Sequence, residues 1–222
     1  MNSYKNTKIS AIIFDFDGVI VNSEPLWFKA AILSLKEINI KYDNQITFKQ
    51  TIGMVSENVW KLLIKEKIQN HQKRKLNTIY KKNLDLLFLK KLKLSRGFKF
   101  FIRHNNLPSI IVSNASSRYI FETLNRLKID QFSKKDIISC TGQLLPKPKP
   151  DGYIKAINQL KLPIKNLLVI EDSDVGISAA KSAGIKNIIR HTHNNENLPK
   201  KIKHKIPILK SFMELNKFIK KN

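Results

Sequence analysis

Short apolar runs, separated by longer stretches of mixed polarity, recur along this chain. They lie at residues 9–14, 109–112, 136–139, 167–170 and 186–189. Each run has the length of a buried strand, and the stretches between them carry apolar residues at helical spacing together with helix-capping residues. Because strands that alternate with helices form βαβ units, the pattern predicts an α/β fold built on a mostly parallel sheet.

One interval, residues 25–94, lacks any strand pattern. Its apolar residues form three stripes with helical spacing, at Trp27, Ala31, Leu35 and Ile38, at Trp60 and Ile64, and at Leu84, Phe88 and Leu92. Such stripes are typical of helices packed around a core, and neither tryptophan needs a binding role to explain its position. The sequence therefore predicts a core domain of residues 1–24 and 95–222, interrupted by an all-helical insert of residues 25–94.

The chain carries a formal net charge of +24, which is typical of nucleic-acid-binding domains. Its lysines, however, are spread along the whole length, and the sequence contains no Cys/His zinc finger, RRM signature or basic zipper. The joint abundance of Ile, Asn and Lys is what drift in an AT-rich genome produces. We therefore expect no nucleic-acid partner, although nucleic-acid binding stays an alternative, and a positive field would also steer anionic substrates to a site.

The length of 222 residues and the hydrophobic content of 42% allow one large core and a smaller insert. No apolar run approaches the length of a membrane span, and Asp15 and Asp17 interrupt the first run before it could act as a signal segment. We expect a soluble cytoplasmic protein, monomeric or weakly dimeric, without membrane contact.

Three other features of the sequence say little about function. Cys140 has no second cysteine to pair with and is expected to be a small residue at the end of a strand. His191 and His193 form a His-x-His pair that could bind a metal, but they stand in a polar stretch with no further ligand nearby. The basic C-terminal stretch from Lys200 is expected to be a solvated tail whose apolar positions allow one amphipathic helix.

Acidic pairs follow two of the predicted strands. Asp15 and Asp17 come after the first strand and precede Gly18, and Glu171 and Asp172 come at the tip of the fourth. Side chains two residues apart in an extended chain point the same way, and neighbouring carboxylates repel, which raises the pKa of one of them unless a cation lies between. The four carboxylates are therefore candidate ligands of a divalent metal.

Two further strand ends carry groups that suit an anion. Ser113 and Asn114 follow the second strand, where a hydroxyl, an amide and main-chain N–H groups can bind an anion, although these residue types are also common in turns. Lys147 precedes Pro148 and Pro150, which hold the chain extended and fix the direction of the lysine. Since ligands of open α/β sheets bind at the carboxyl ends of the strands, these groups together predict a phosphoryl-transfer site.

These residues resemble the motifs of the haloacid dehalogenase (HAD) superfamily, in the helical-cap branch that includes sugar-phosphate phosphatases and β-phosphoglucomutases. "DFDGVIVNSE" resembles the first motif, Ser113 the second, Lys147 in "KPKPD" the third and "EDSDVGISAAKSAGI" the fourth, in the order of the family. The resemblance runs from Ile9 to about Arg190. It implies a Rossmann-like parallel sheet whose all-helical insert is a cap domain.

The resemblance also implies a mechanism. Asp15 would attack phosphorus to form an aspartyl-phosphate, and Asp17 would act as the general acid and then the general base. The motif residues would bind two ligands: the phosphoryl group, by Ser113, Asn114 and Lys147, and Mg²⁺, by Asp15, the Asp17 carbonyl, Glu171 and Asp172. The predicted enzyme is a Mg²⁺-dependent phosphatase of a small sugar, sugar-alcohol or nucleoside phosphate.

Individual motif positions help to distinguish among the activities known in this superfamily. Dehalogenases and phosphonatases of the superfamily lack the second aspartate, so Asp17 favours phosphate esters. β-Phosphoglucomutases carry a histidine where Trp27 aligns and a phosphate-binding arginine near Ser56, so this sequence favours hydrolysis, with a phosphosugar mutase and a fold-retaining nucleic-acid-binding protein as alternatives. In this branch the substrate is chosen by the cap, here by the loop of residues 53–57 and the helix from Pro25.

Overall fold

The computed structural model describes residues 8–51, 56–193 and 206–219. Most of the predicted substrate loop at residues 53–57 lies outside the described residues, as does the start of the basic C-terminal stretch. Within the described part of the chain, no helix has both the length and the apolar character needed to span a membrane.

The chain forms two compact units. The first comprises Met1–Val21 and Leu94–Asn222, and the second comprises Asn22–Lys93. The helices are α1 (Glu24–Glu37), α2 (Phe48–Thr51), α3 (Ser56–Leu63), α4 (Asn70–Lys91), α5 (Phe98–His104), α6 (Ser117–Arg126), α7 (Asp151–Leu160) and α8 (Asp174–Ser182). Helices α1 to α4 belong to the second unit, and α5 to α8 surround the sheet of the first.

A six-stranded parallel sheet runs through the first unit. Its strands are β1 (Ala11–Phe14), β2 (Ser109–Ser113), β3 (Ile137–Ser139), β4 (Leu167–Glu171), β5 (Asn187–His191) and β6 (Ile208–Leu209). They are hydrogen-bonded in the order β3-β2-β1-β4-β5-β6, and every neighbouring pair is parallel. Phe14 is in register with Ile111 on one side and Ile170 on the other, so the chain leaves these strands at one common edge. The predicted α/β fold with a parallel sheet is confirmed.

Both faces of the sheet are buried. On one face, Ile13 and Val169 pack with Tyr153 of α7 and Ile177 of α8. On the other face, Phe14 lies against four further phenylalanine rings, those of Phe98, Phe101, Phe132 and Phe212. Because neighbouring strand residues point to opposite faces, a strand buried on both faces is apolar throughout, which explains the continuous apolar runs.

The second unit is entirely helical in its described residues, apart from one isolated bridge between Tyr42 and Ile64. The three apolar stripes lie in α1, α3 and α4 or directly at their ends, and a buried core joins these elements through Ala31, Leu35, Ile40, Leu63 and Leu76. Both tryptophan rings take part in packing, since the ring centroid of Trp27 lies 5.2 Å from that of Phe88 and the ring centroid of Trp60 lies 5.1 Å from that of Tyr80.

The C-terminal segment differs from the prediction. The region was expected to be a solvated tail that allowed one amphipathic helix, but the short strand β6 and a 3₁₀ helix at Phe212–Lys217 occupy it. Leu209, Phe212 and Leu215 are buried there, so this part of the segment belongs to the core. Two residues are too few to show a strand period, and β6 is fixed by its pairing with Arg190 and His191 of β5. Strand β5 itself continues two residues beyond its predicted end at residue 189. The two added residues, Arg190 and His191, are polar, so the apolar pattern did not include them, yet both are buried.

Candidate active site

The predicted site residues meet at the carboxyl edge of the sheet in the α/β unit. Asp15 follows β1, and its main-chain N–H donates to the Ile170 carbonyl at 2.9 Å, which brings it beside Glu171, the last residue of β4. Ser113 ends the neighbouring strand β2, and Lys147 comes from the loop after β3. The order of the central strands therefore brings residues far apart in sequence to one place.

Lys147 is a buried cation held by three acceptors. Its Nζ lies 2.6 Å from Asp15 Oδ1, 2.6 Å from Glu171 Oε1 and 2.7 Å from the Val112 carbonyl oxygen. These bonds use all three donors of the ammonium group. The side chain is only 5% exposed, so the predicted fixed direction of this lysine results mainly from hydrogen bonds and burial.

Three carboxylates form a group that suits a metal ion. Asp15, Glu171 and Asp172 each offer one oxygen, and these oxygens lie within 4.8 Å of one another. When all three carboxylates are ionised, the single ammonium of Lys147 leaves two negative charges, which a divalent cation balances. Carboxylate oxygens are the donors that hard cations prefer, so the residues present fit such an ion. The Asp17 carboxylate, which the strand pattern also predicted as a metal ligand, is not part of this group. The ligand that the family resemblance implies for that residue is its main-chain carbonyl.

Burial and charge shift the pKa values in this cluster. Burial is the main cause that raises the pKa of Asp15 to about 8, and the charges of Glu171 and Asp17 act in the same direction, whereas Lys147 opposes them. Burial alone would lower the pKa of Lys147, but Asp15 and Glu171 raise it well above its usual value. Lys147 therefore stays protonated, and ionisation of Asp15 at neutral pH is favoured by added positive charge.

Glu171 connects the lysine to the loop that carries Asp172. Its Oε1 accepts hydrogen bonds from Lys147 Nζ at 2.6 Å and from the Tyr153 hydroxyl at 2.8 Å. Its Oε2 accepts from the main-chain N–H groups of Asp172 and Ser173 and from the Ser173 hydroxyl. Tyr153 was not predicted as a site residue, because a buried aromatic side chain in a helix looks like a core residue in the sequence.

The turn after β1 brings Asp17 to α6 and packs Gly18 closely against Asp172. The hydroxyl of Tyr119, in α6, donates to Asp17 Oδ1 at 3.2 Å, a contact that only the tertiary fold creates. Gly18 has φ +79°, and a Cβ atom built there would lie 2.0 Å from Asp172 Oδ2. Both the backbone conformation and the close approach of the carboxylate therefore require glycine at this position.

Ser113 and Asn114 differ in what their side chains contact. Ser113 is buried, and its Oγ accepts the main-chain N–H of Ala115 at 3.1 Å. The Asn114 amide is bonded to the main chain of Lys147 in both directions, at 2.9 Å through Oδ1 and at 3.4 Å through Nδ2. Asn114 thus ties the end of β2 to the lysine loop through its amide. The Ser113 hydroxyl stays the candidate phosphate-binding group of this segment.

The environment of His191 and His193 differs from the polar stretch expected for them. His191 is the last residue of β5 and only 1% exposed, and its Nδ1 lies 3.0 Å from the Gly18 carbonyl oxygen. The ring centroid of His193 lies 4.7 Å from that of His191. Burial lowers the pKa of His191 to about 3 and that of His193 to about 4, so both rings are neutral.

Comparison with known proteins agrees with this architecture. A model of haloacid dehalogenase-like hydrolases matches residues 12–189. A phosphorylated carbohydrates phosphatase of Thermotoga maritima is 27% identical over 192 residues, which cover 84% of this chain and 87% of that protein. A beta-phosphoglucomutase of Bacillus subtilis is 30% identical over 187 residues, which cover 80% of this chain and 81% of that protein.

Solved structures share the fold. A conserved haloacid dehalogenase-like protein of unknown function from Agrobacterium tumefaciens has a TM-score of 0.76 and 23% identity, and the match covers 94% of this chain and 96% of that one. The superfamily and the Rossmann-like fold predicted from the sequence are thus confirmed. The matched residues contain all four motifs on which that prediction depends, and the chain belongs to the family of haloacid dehalogenase-like hydrolases.

Proposed function

We propose that this hydrolase is a Mg²⁺-dependent phosphatase, which cleaves a small phosphorylated metabolite through an aspartyl-phosphate formed on Asp15. The observation that carries the proposal is the buried cluster in which Lys147 Nζ lies 2.6 Å from both Asp15 and Glu171, beside the Asp172 carboxylate. Phosphoryl transfer depends on positioning and on neutralising charge. This cluster provides a nucleophile, a fixed cation and a set of oxygen ligands in one place.

In the first step, an Asp15 carboxylate oxygen attacks phosphorus, and the bond from phosphorus to the ester oxygen breaks. Asp17, two residues further along the turn, gives its proton to the departing alkoxide. Lys147 holds its positive charge beside Asp15, where the phosphoryl oxygens arrive, and the Ser113 hydroxyl can donate a hydrogen bond to one of them.

In the second step, Asp17 takes a proton from a water molecule, whose oxygen attacks phosphorus and releases Asp15 and inorganic phosphate. Asp15, Asp172 and the Asp17 carbonyl would hold Mg²⁺, together with the Glu171 oxygen that Lys147 also contacts. When bound, Mg²⁺ supplies positive charge that favours the ionised form of Asp15 and balances the charge on the phosphoryl group.

The substrate class is drawn from the relatives. The relative from Thermotoga maritima is named for phosphorylated carbohydrates, and a 22% identical relative from Escherichia coli is named a 6-phosphogluconate phosphatase. We assign a small sugar, sugar-alcohol or nucleoside phosphate as substrate, and we assign its selection to the helical unit acting as a cap.

A phosphosugar mutase is the second candidate, because the beta-phosphoglucomutase from Bacillus subtilis is 30% identical. The histidine of such mutases is replaced at the aligned position by Trp27, whose ring packs edge-on against Phe88. An indole in that position has no proton to exchange near neutral pH, which favours hydrolysis. A mutase would need a bisphosphate activator and would release little inorganic phosphate.

The experiment is phosphate release from a panel of sugar, polyol and nucleoside phosphates, with Mg²⁺ and with EDTA. We expect turnover in Mg²⁺ that disappears in EDTA and in the variant Asp15→Asn, because asparagine cannot serve as the nucleophile. Asp130→Asn, at an exposed position of the same unit, is the matched control and should keep full activity. A folded wild-type protein that releases no phosphate from any compound would overturn the proposal and direct attention to the mutase and nucleic-acid alternatives.

A further inference from the structure

Two polar residues at the end of β5 reach the loops of the candidate active site. Arg190 and His191 are 5% and 1% exposed, and Arg190 is in register with Glu171 of the neighbouring strand. Neither side chain belongs to the group of carboxylates that suits a metal ion. Burial of a charged and a polar side chain is costly unless each makes specific contacts, so their partners indicate what they do.

Arg190 is bonded to the loop that follows β4. Its Nη1 donates to the main-chain carbonyl of Asp172 at 2.5 Å, and its Nη2 is paired with the Asp174 carboxylate at the start of α8. The planar guanidinium holds both acceptors in one fixed arrangement, which a lysine could not reproduce. The carbonyl of a candidate metal ligand is thereby tied to the first turn of a helix.

His191 is bonded to the other loop. A carbonyl oxygen can only accept, so the contact of 3.0 Å to Gly18 O requires that Nδ1 of His191 carries the hydrogen. The ring is stacked on Phe212 at a centroid distance of 5.1 Å, which fixes its plane. Gly18 directly follows Asp17, whose carbonyl is an expected Mg²⁺ ligand, so this bond holds the turn that presents that ligand.

We propose that Arg190 and His191 are positioning residues of the metal site, which act through hydrogen bonds to the main-chain carbonyls of Asp172 and Gly18. The two bonds set the relative position of loops that already touch, since a Cβ atom on Gly18 would lie 2.0 Å from Asp172 Oδ2. The inference rests on the proposed function for the identity of the metal and its ligands. Partners that orient metal ligands commonly change metal affinity by roughly 10–100-fold when they are removed.

A general contribution to folding would also bury polar residues in β5, so the test needs a matched control. Asn187, at the opposite end of the same strand, is 8% exposed. Its Nδ2 donates to the main-chain carbonyls of Lys165 and Leu167, at 2.7 Å and 3.2 Å. Asn187→Leu therefore removes the same kind of interaction, a buried side chain of β5 that donates to main-chain carbonyls. It does so at the end of the strand remote from the site.

The experiment measures the Mg²⁺ dissociation constant of the substrate-free protein by titration calorimetry, together with urea unfolding in EDTA. We expect Arg190→Met and His191→Leu each to raise the dissociation constant by roughly 10-fold or more. Asn187→Leu should lower the unfolding midpoint but keep the wild-type dissociation constant. His191→Asn, which places an N–H donor near the position of Nδ1, should recover most of the affinity lost in His191→Leu.

Three results would overturn the inference. They are an unchanged Mg²⁺ affinity in both Arg190→Met and His191→Leu, a loss of affinity in Asn187→Leu as large as in those two variants, and no Mg²⁺ binding by the wild type. If Arg190→Met does not fold, Arg190→Lys keeps the charge without the planar fork and is expected to weaken Mg²⁺ binding as well. Because the readout needs no substrate, a wild type that binds Mg²⁺ but releases no phosphate would refute the proposed function and still leave this inference testable.

Discussion

Lys147 is the residue on which the charge balance of the site depends. It is the common partner of Asp15 and Glu171, at 2.6 Å from each, and all three side chains are buried. Removing one partner of a buried ion pair leaves an uncompensated charge, which commonly costs about 3–5 kcal/mol. We expect Lys147→Met to lower the free energy of unfolding of the metal-free protein by about this amount, as measured by urea unfolding in EDTA, and to abolish phosphate release.

Lys149→Met is the control for this prediction. Lys149 lies two residues further along the same loop but is exposed, so its replacement should leave both the unfolding midpoint and the activity close to those of the wild type. A metal-free Lys147→Met protein as stable as Lys149→Met would mean that the two carboxylates do not need the ammonium as a partner.

The sequence allows most of the elements to be predicted, because the strands buried on both faces are continuous apolar runs. The pattern could not show the role of residues whose contacts are all with segments distant in the sequence. Arg190 and His191 look like the start of a polar loop, and only their contacts with Asp172 and Gly18 explain why they are buried in β5. Tyr119 likewise looks like an ordinary helix residue until α6 brings its hydroxyl to Asp17.

The packing of α7 against the sheet is the element-scale feature that supports the site. A Cβ atom added at Gly152 would lie 2.4 Å from Cys140 Sγ and 2.7 Å from Val112 Cγ1, so the helix fits only with glycine there. The next residue, Tyr153, donates to Glu171. We expect Gly152→Ala to displace α7 and to lower the free energy of unfolding by about 1–3 kcal/mol, as measured by urea unfolding.

A double-mutant cycle isolates this overlap, because the gain in helix propensity from glycine to alanine is the same with and without the Cys140 side chain. Cys140→Ala removes the nearest overlapping atom, so the double variant Gly152→Ala, Cys140→Ala should be more stable than the sum of the two single effects predicts. Strictly additive effects would contradict the overlap with Cys140. Gly152→Ala as stable as the wild type would show that α7 can shift without cost.

At the scale of the whole molecule, the helical unit is an insertion whose two ends meet. Val21 and Leu94, the residues of the α/β unit that flank it, form an antiparallel bridge. Each unit has a hydrophobic core of its own, and all seven site residues predicted from the sequence belong to the α/β unit. Metal binding and substrate selection are therefore expected to be separable properties of this chain.

Replacing Asn22–Lys93 with a short Gly/Ser linker tests this separation. The bridged ends can be joined without stretching the chain, so we expect the remaining unit to fold cooperatively, as followed by circular dichroism during urea unfolding. Its Mg²⁺ dissociation constant, measured by calorimetry, should stay within a few-fold of the full-length value, because every proposed ligand is retained. Discrimination among sugar, polyol and nucleoside phosphates should be largely lost. A shortened protein that folds but no longer binds Mg²⁺ would show that the helical unit contributes to the metal site, contrary to its proposed role as a cap that selects the substrate.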